Sequence, residues 1–221
     1  MIITPRTLSE QKLFAELDEH VRQKIVLYVR KREFAAGQLI ALAREPCQLV
    51  YTVEKGVVRA FHSSLEGREY VLSYLGPGET FGLGSVIDGE LLPFNVDALT
   101  DVSLYTIPCQ RFRSLLYKHS SIALRVMEQL ADDVRHLQSM VENLALYTVR
   151  TRLARFLLSR GGGDRPSRRW TQEEIANHIG TVRDVVGRTL RAFSREGLIR
   201  RERGRLVVRD RGGLEREAMR V

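Results

Sequence analysis

The stretch TQEEIANHIGTVRDVVGRTL, which starts at Thr171, constrains the fold more than any other part of the chain. Thr171 and Glu174 have the spacing of a capping box, in which a hydroxyl and a carboxylate satisfy free backbone donors where a helix begins. Gly180 suits the left-handed position that ends a helix, and Thr181 with Asp184 predicts the cap of the next helix. The stretch therefore predicts two short helices joined by a tight turn.

Hydrophobic residues in this region are expected to lock the two helices against each other and against their supports. These positions are Ile175, Ile179, Val182, Val186, Leu190 and Phe193. The same spacing leaves another set facing outward on the second helix. That outward set is Arg183, Asp184, Gly187, Arg188 and Arg191.

The outward set contains residues that helix stability does not explain. Arg183 lies in the first helical turn, where the helix dipole disfavours a cation, and a phosphate or a guanine edge would account for it. Asp184 and Arg188 are one turn apart, so an ion pair within the helix is an alternative to base contacts. Gly187 costs the helix about 0.5–1 kcal/mol relative to Ala, which close approach to DNA would explain.

The segment GLIRRERGRLVVRD follows and reads as a strand, a glycine turn and a strand. The turn is flanked by Arg200, Arg201, Arg203 and Arg205. From residue 150 onward the chain has 19 Arg, no Lys and 9 acidic residues, a net charge of +10, whereas the preceding part carries −2. A basic module favours a polyanion partner, and a solvated basic face is the alternative. The hairpin is predicted to be a wing against the DNA backbone.

The first half of the chain changes its periodicity from helical to strand-like. Residues 8–31 place Leu13, Leu17, Val21, Ile25 and Val29 at steps of four, which predicts short amphipathic helices. From residue 34 to residue 107 short β-type runs such as LVYTV, GVVRAF and YVLSYL alternate with Gly and Pro turns. These runs predict a small antiparallel barrel or roll.

A helical period returns after residue 108 and lasts to about residue 146. Its apolar positions recur close to the 3.5-residue repeat of a two-stranded coiled coil. They are Val126, Leu130, Val134, Leu137, Val141 and Leu144. Polar residues at 132–138 leave only a narrow apolar stripe, which favours a dimer seam over a helix buried within one subunit. A second helix is predicted over 149–158, before the loop RGGGDRPSRR.

Several function classes are disfavoured by the sequence. No apolar run approaches the roughly 18 residues of a membrane span, and the N-terminus lacks a secretory signal, so a cytoplasmic protein without a membrane partner is expected. No nucleophile elbow, P-loop, zinc-protease motif or metal-type spacing occurs, so neither an enzyme nor a cofactor is expected. The two cysteines, Cys47 and Cys109, are interpreted as small buried hydrophobic residues, although a redox pair depends on their distance.

Three segments together resemble the CRP/FNR family of bacterial transcription factors. They are KGVVRAF with GREYVLSYLGPGETFG, then ENLALYTVRTRLARFLL, and then TQEEIANHIGTVRDVVGRTLRAFSREGLI. The resemblance implies an α+β fold with an N-terminal antiparallel β-roll of the cyclic-nucleotide-binding type. It implies a sensor domain with N-terminal helices at 1–110, a dimerisation helix and hinge at 111–147, and a winged helix-turn-helix at 148–221.

The resemblance also implies a function. It predicts a homodimeric regulator, an activator that contacts RNA polymerase, bound to a palindromic double-stranded DNA site with TGTGA-like halves. In the family pattern the residues at 183, 184 and 188 read base edges, and this chain keeps all three residue types. The full set expected to contact DNA is Thr171, Gln172, Thr181, Arg183, Asp184, Gly187, Arg188, Arg191, Arg203 and Arg205.

The effector region departs from the cyclic-nucleotide members of the family. Their FGEL…RSA segment supplies a glutamate for the ribose and an arginine for the cyclic phosphate, whereas this chain has FGLGSVIDGELLPFNVDAL. Leu83 stands near the place of the glutamate, and residues 93–95 occupy the region of the arginine. A buried phosphate without a cation is costly, so tight cyclic AMP binding is not expected. The expected pocket residues are Gly82, Leu83, Gly84, Phe94, Asn95, Val126, Met127 and Leu130.

Other modes of control stay open at this point. Activity without a ligand, or with an unidentified and less charged one, is favoured. A haem- or redox-dependent regulator is an alternative, with His20 or His62 as an axial ligand, although a lone histidine is more often an ordinary polar residue. A sensor module that does not bind DNA is a further alternative, against which the basic C-terminal part argues.

Overall fold

The structure is a computed structural model in which residues 3–161, 170–202 and 205–220 are described, with the side chains of residues 160 and 161 excepted. The chain divides into two compact units. One comprises Met1–Ser64 with Val71–Arg135, and the other comprises Leu65–Tyr70 with His136–Val221.

Two short helices, α1 (Pro5–Ser9) and α2 (Glu19–Val26), begin the first unit. The hydroxyl of Thr4 caps α1 by accepting a hydrogen bond from the backbone amide of Thr7 at 3.2 Å. Leu13 and Leu17 lie in turns between the helices, so the predicted helical face is interrupted there. Both are nevertheless buried, because the apolar pattern records burial as well as periodicity.

Eight strands follow and confirm the predicted antiparallel roll. They are β1 Arg30–Phe34, β2 Leu39–Ala41, β3 Leu49–Lys55, β4 Val58–Ser63, β5 Glu69–Leu75, β6 Thr80–Phe81, β7 Asn95–Ala98 and β8 Val102–Pro108. Their order is β1-β8-β3-β6 in one sheet and β2-β7-β4-β5 in the other. A short helix, α3 (Leu83–Asp88), separates β6 from β7.

Two apolar clusters stabilise this unit, because successive side chains of a strand point to opposite faces of the sheet. On β8, Leu104 packs with residues of both sheets, including Val58 of β4 and Val96 of β7. Its neighbour Tyr105 packs in the other cluster, with residues of the helices. The first cluster fills the space between the sheets, and the second joins the β3–β8 sheet to the helices.

Helices α4 (Cys109–Lys118) and α5 (Ser120–Leu146) complete the helical part that follows the roll. Ile122 and Val126, in the first turns of α5, are buried in the cluster shared by the helices and the sheet. Most of the remaining apolar residues of α5 are exposed. The long predicted helix is thus confirmed, with only its first turns buried in its own unit.

The second unit contains α6 (Val149–Gly161), α7 (Gln172–Ile179), α8 (Arg183–Arg195), β9 (Ile199–Glu202), β10 (Arg205–Val208) and α9 (Arg211–Ala218). β9 and β10 pair as an antiparallel hairpin, with Arg205 opposite Glu202. The sequence did not predict α9, which begins where the carboxylate of Asp210 accepts a hydrogen bond from the amide of Gly213 at 2.8 Å. Leu153, Ile175, Phe193 and Leu214 are fully buried members of the shared core. No helix among the described residues is long and apolar enough to cross a membrane.

Candidate nucleic-acid interface

Helix α7 begins with the predicted capping box and ends at the predicted glycine. The hydroxyl of Thr171 accepts a hydrogen bond from the amide of Glu174 at 3.1 Å, and the carboxylate of Glu174 accepts one from the amide of Thr171 at 2.7 Å. Gly180 ends the helix in the left-handed conformation, with φ of 69°. The capping box and the glycine end are therefore confirmed, and they set where the turn between α7 and α8 falls.

The predicted cap of α8 is wrong. Val182, 44% exposed, is the N-cap residue and makes no side-chain cap hydrogen bond, so it does not belong to the buried face either. The amide of Thr181 donates to the carbonyl of Ala176 at 3.0 Å, which closes the turn that ends α7. Val182 has the extended backbone conformation of an N-cap residue, with φ of −106° and ψ of 151°, so α8 begins one residue later than predicted.

Helix α8 has one buried face and one charged, exposed face. Val186, Leu190 and Phe193 are buried in the core of the second unit. Arg183, Asp184, Arg188 and Arg191 are exposed, as predicted. None of the three arginines makes a hydrogen bond or an ion pair with another described residue. Their guanidinium groups are therefore available to an external anion, and the ion pair between Asp184 and Arg188 that the sequence allowed does not form.

Gly187 does not face outward, which corrects the prediction. It is buried in α8, and a Cβ atom at this position would lie 3.1 Å from the side-chain oxygen of Gln172 on α7. Gly187 thus faces the side chain of Gln172 within its own unit, and a larger residue would require that side chain to shift. Gln172 is partly buried beside it, whereas Thr171 is exposed.

The hairpin of β9 and β10 presents a second group of arginines. Arg200, Arg201 and Arg205 are exposed, while Ile199 is buried and anchors the hairpin to the core. Arg203, which the sequence placed in the same group, lies outside the described residues. Exposed arginines on a hairpin supply backbone-directed contacts of the kind that fix the register of a protein on a duplex.

Arg150, on α6, does not belong to this exposed surface. Its guanidinium donates to Glu196 at 3.0 Å, forms an ion pair with Glu217, and lies over the ring of Phe193, 4.7 Å from its centroid. The hydrogen bond with Arg150 lowers the pKa of Glu196. The positive charge of Arg150 is thus neutralised within the unit.

Two further arginines of α6 also have internal partners. Arg152 donates to the carbonyl of Ile179 at 2.6 Å, at the turn between α7 and α8, and burial lowers its pKa. Arg155 donates to the side chain of Asn143 at 2.9 Å and lies over the ring of Tyr147. The sequence analysis included these arginines in the net charge that favoured a polyanion partner, and no local signal distinguishes them because their partners are distant in the chain.

The residues predicted to line an effector pocket do not form one group. Leu83, Val126 and Leu130 pack in the cluster shared by the helices and the sheet, whereas Phe94 packs in the cluster between the sheets. The remaining members differ in their surroundings. Gly82 is buried beside Cys47, Asn95 accepts a hydrogen bond from the amide of Ala43, and Gly84 and Met127 are exposed.

The predicted dimer seam is exposed for most of its length, with one correction. Val134, Leu137, Val141 and Leu144 are each at least 43% exposed. Val126 is 1% exposed and belongs to the core of its own subunit, so it is not available to a partner. Met127, 58% exposed, continues the apolar stripe instead, and Leu130 is only partly buried. The steps from Met127 onward are three, four, three, four and three residues, as in a heptad repeat.

The suggested haem ligands, His20 and His62, are both exposed. An axial haem ligand needs an apolar enclosure for the macrocycle, which an exposed imidazole does not provide. Among the described residues, no group of three or more His, Cys, Asp and Glu side chains is placed to hold a metal ion.

These observations define a class of protein. The second unit joins a helix-turn-helix to an arginine-bearing hairpin, and the guanidinium groups along the exposed face of α8 have no partner in the part of the chain that the structure describes. The first unit is an antiparallel roll followed by a long helix. This combination is that of a regulator with a sensor-like roll and a winged helix-turn-helix DNA-binding domain.

Comparison with known proteins agrees with this class. The family model described as Cyclic nucleotide-binding domain matches residues 31–119, and the one described as Crp-like helix-turn-helix domain matches residues 151–217. The chain is 30% identical to the Cyclic AMP receptor protein of Thermus thermophilus, with 85% of this chain and 88% of that protein covered. It is 27% identical to the cAMP-activated global transcriptional regulator Vfr of Pseudomonas aeruginosa, with 84% and 92% covered.

A solved structure supports the same relationship. A transcriptional regulator of the crp/fnr family from Eubacterium rectale superimposes with a TM-score of 0.79 at 25% identity, with 93% of this chain and 97% of that chain covered. The chain belongs to the CRP/FNR family of transcription regulators. It is a transcription regulator with a DNA-binding helix-turn-helix domain, and the family consists of regulators and not of enzymes.

Proposed function

We propose that this protein is a homodimeric, sequence-specific regulator that places α8 of each subunit in the major groove of a palindromic site with TGTGA-like halves. The observation that carries the proposal is the exposed face of α8, where Arg183, Arg188 and Arg191 have no partner among the described residues. Arg pairs bidentately with guanine O6 and N7, and a carboxylate such as that of Asp184 accepts from cytosine N4. A helix face that carries both arginines and a carboxylate can therefore recognise a site that contains both guanines and cytosines.

The dimer follows from the exposed stripe of α5. A contiguous row of apolar residues at heptad spacing is typical of an interface, because burying each Val or Leu side chain contributes about 1.5–3 kcal/mol. Two copies of α5 packed along this stripe would relate the two α8 helices by a twofold axis. A palindrome with half-sites about 34 Å apart, one helical turn, is the matching DNA site.

We further propose the domain limits 1–110, 111–147 and 148–221 for sensor, dimerisation helix with hinge, and DNA-binding domain. The limit between 147 and 148 is supported by the element bounds, since α5 ends at Leu146 and α6 begins at Val149. The limit at 110 lies near the start of α4, which begins at Cys109. Activation through RNA polymerase is proposed from the family resemblance, and in vitro transcription with RNA polymerase tests it.

We propose that DNA binding does not require cyclic AMP. None of the buried polar side chains among the described residues of the first unit is a cation, so a buried cyclic phosphate would lack a counter-charge. Arg59 of β4 is the partly buried cation of the second sheet, and Asp97 neutralises it through a bidentate ion pair. Calorimetry with cyclic AMP is expected to show no micromolar binding, and such binding would overturn this part of the proposal.

Selection of bound sequences from random DNA tests the DNA-binding proposal, using purified protein without added ligand. Wild type is expected to select a twofold-symmetric site. Arg188→Ala is expected to lose preference at one G·C pair per half-site, with a cost of about 1–3 kcal/mol per contact. Arg216→Ala is the matched control, because it removes the same charge from α9 and is expected to keep the wild-type preference.

The outcomes separate the proposed roles. Uniform weakening on all sequences by Arg188→Ala would make it a phosphate contact only and would refute its part in base reading. Selection of no sequence, or of an asymmetric one, would refute the symmetric mode of binding.

A further inference from the structure

Cys47 and Cys109 are brought together at the edge of the first unit, although they are 62 residues apart in sequence. Cys47 precedes β3, and Cys109 is the first residue of α4. β3 and β8 pair with Leu49 opposite Pro108, which places Cys109 beside Gln48, and the amide of Cys109 donates to the carbonyl of Gln48 at 2.9 Å. The two cysteines thus occupy diagonal positions at the end of one strand pair.

The side chain of Cys109 contacts the backbone of Cys47. The thiol of Cys109 donates a hydrogen bond to the carbonyl oxygen of Cys47, with the sulfur 2.8 Å from that oxygen. The sulfur of Cys47 also lies 3.2 Å from the carbonyl oxygen of Leu49. Gly82 permits this arrangement, because a Cβ atom at its position would lie 3.0 Å from the sulfur of Cys47.

Neither cysteine is fully buried, contrary to the expectation that both are small core residues. Partial exposure allows a small oxidant to reach the sulfur atoms. Both are free cysteines in this structure. The pairing of β3 with β8 and the contact of the Cys109 thiol with the Cys47 backbone hold the two cysteines close together, which favours a disulfide without a large movement of the backbone.

We propose that Cys47 and Cys109 are a dithiol modification site that peroxides oxidise to an intramolecular disulfide. The Cys47 thiolate attacks a peroxide oxygen, the O–O bond breaks, and the sulfur becomes a sulfenic acid as hydroxide leaves. The Cys109 thiol then attacks the Cys47 sulfur, so that an S–S bond forms and water leaves with the sulfenic oxygen. Two electrons pass from the two thiols to the peroxide.

The order of these roles follows from the position of the Cys109 side chain beside Cys47. Cys109, whose sulfur lies 2.8 Å from the Cys47 carbonyl oxygen, is a hydrogen-bond donor for the Cys47 thiolate and lowers the pKa of Cys47 to about 7. The same contact raises the pKa of Cys109, which therefore keeps its proton. The single thiol proton of Cys109 forms a hydrogen bond with the Cys47 carbonyl in this structure. When the Cys47 sulfur ionises, the Cys109 thiol rotates and donates to that sulfur instead. Cys47 is accordingly the attacking residue and Cys109 the resolving one.

The first experiment identifies the product. Reduced full-length protein is treated with hydrogen peroxide under native conditions, alkylated, and measured by intact mass and peptide mapping. The expected product has lost two hydrogen atoms, links the Cys47 and Cys109 peptides within one chain, and is reversed by dithiothreitol. Cys47→Ser is expected to lose no hydrogen. Oxygen adducts without a cross-link, a disulfide between chains, or no reaction would each overturn the proposal.

The second experiment tests the roles with a matched pair of variants. Cys109→Ser keeps a hydrogen-bond donor beside Cys47, whereas Cys109→Ala removes it. At about pH 7, alkylation of Cys47 by iodoacetamide is expected to be at least about fivefold slower in Cys109→Ala than in Cys109→Ser. Without the donor, Cys47 has a smaller thiolate fraction, and the higher nucleophilicity of that thiolate offsets only part of the loss. Equal rates in the two variants, with circular dichroism unchanged from wild type, would refute the assignment of Cys109 as the donor.

Discussion

Replacement of Arg150 by Ala tests the internal role of the α6 arginines. The change leaves Glu217, whose side chain is 10% exposed, with Arg220 as its remaining ion-pair partner at 2.9 Å. Breaking a buried ion pair costs about 3–5 kcal/mol, and the 31% exposure of Arg150 together with the retained Arg220 reduces this to about 2 kcal/mol. Loss of the guanidinium over the ring of Phe193 adds about 0.5–1 kcal/mol. The second unit is thus expected to lose about 2–3 kcal/mol of stability.

The assay uses the single tryptophan of the chain, Trp170, which lies in the second unit. Its ring meets that of Phe156 edge-on with centroids 5.2 Å apart, so its fluorescence reports the packing of this unit. Urea titrations of wild type and Arg150→Ala give the free energies of unfolding when the slopes agree. Arg209→Ala is the control, since its ion pair with Glu202 is exposed and is expected to contribute less than about 1 kcal/mol.

A further check is how the difference in free energy of unfolding between wild type and Arg150→Ala depends on pH. Arg150 lowers the pKa of Glu196 from its ordinary value of 4.5, so this glutamate contributes stability above that value and loses it as the pH falls. The difference is expected to be full at about pH 7 and smaller at about pH 3. A stability of Arg150→Ala equal to that of Arg209→Ala at neutral pH would refute the reasoning.

Three other changes are expected to have distinct effects. Gly180→Ala forces a side chain into a left-handed conformation and places its Cβ atom 2.6 Å from Leu144, so urea titration should show a loss of at least about 1 kcal/mol. Thr171→Ala removes the N-cap of α7 and should cost about 1 kcal/mol in the same assay; stability unchanged would contradict the capping role. Leu137→Asp should convert the proposed dimer to monomer in sedimentation velocity, whereas Gln138→Asp, off the stripe, should not; a dimer in both would refute the proposed seam.

The helix-turn-helix was predictable because the interactions that set its ends are local. The two hydrogen bonds of the capping box span three residues, and the left-handed glycine is recognisable from residue type alone. The cap of α8 was missed because residue type favours Thr181 as the N-cap, whereas Val182 occupies that position. Residue type ranks the candidate caps, but the backbone conformation of the turn decides which residue precedes the helix.

The register of α5 was predictable only in part. Val126 and Met127 are adjacent apolar residues, and both extend the stripe that continues at Leu130. Whether one of them faces its own core or a second subunit depends on where the roll meets the helix. That contact is tertiary, and it buries Val126 while leaving Met127 exposed. Periodicity identifies apolar faces, but it does not identify what covers them.

The arginines of the second unit show the same limit for charge. Net charge counts every guanidinium equally, yet a guanidinium paired with a buried carboxylate contributes little field outside the protein. Arg150 has such a partner, and Arg152 donates to backbone carbonyls. Arg183 and Arg188 have neither kind of partner among the described residues. Because counterion release depends on guanidinium groups that reach phosphates, the salt dependence of DNA binding should follow the exposed arginines, and the stability of the domain should follow the paired ones.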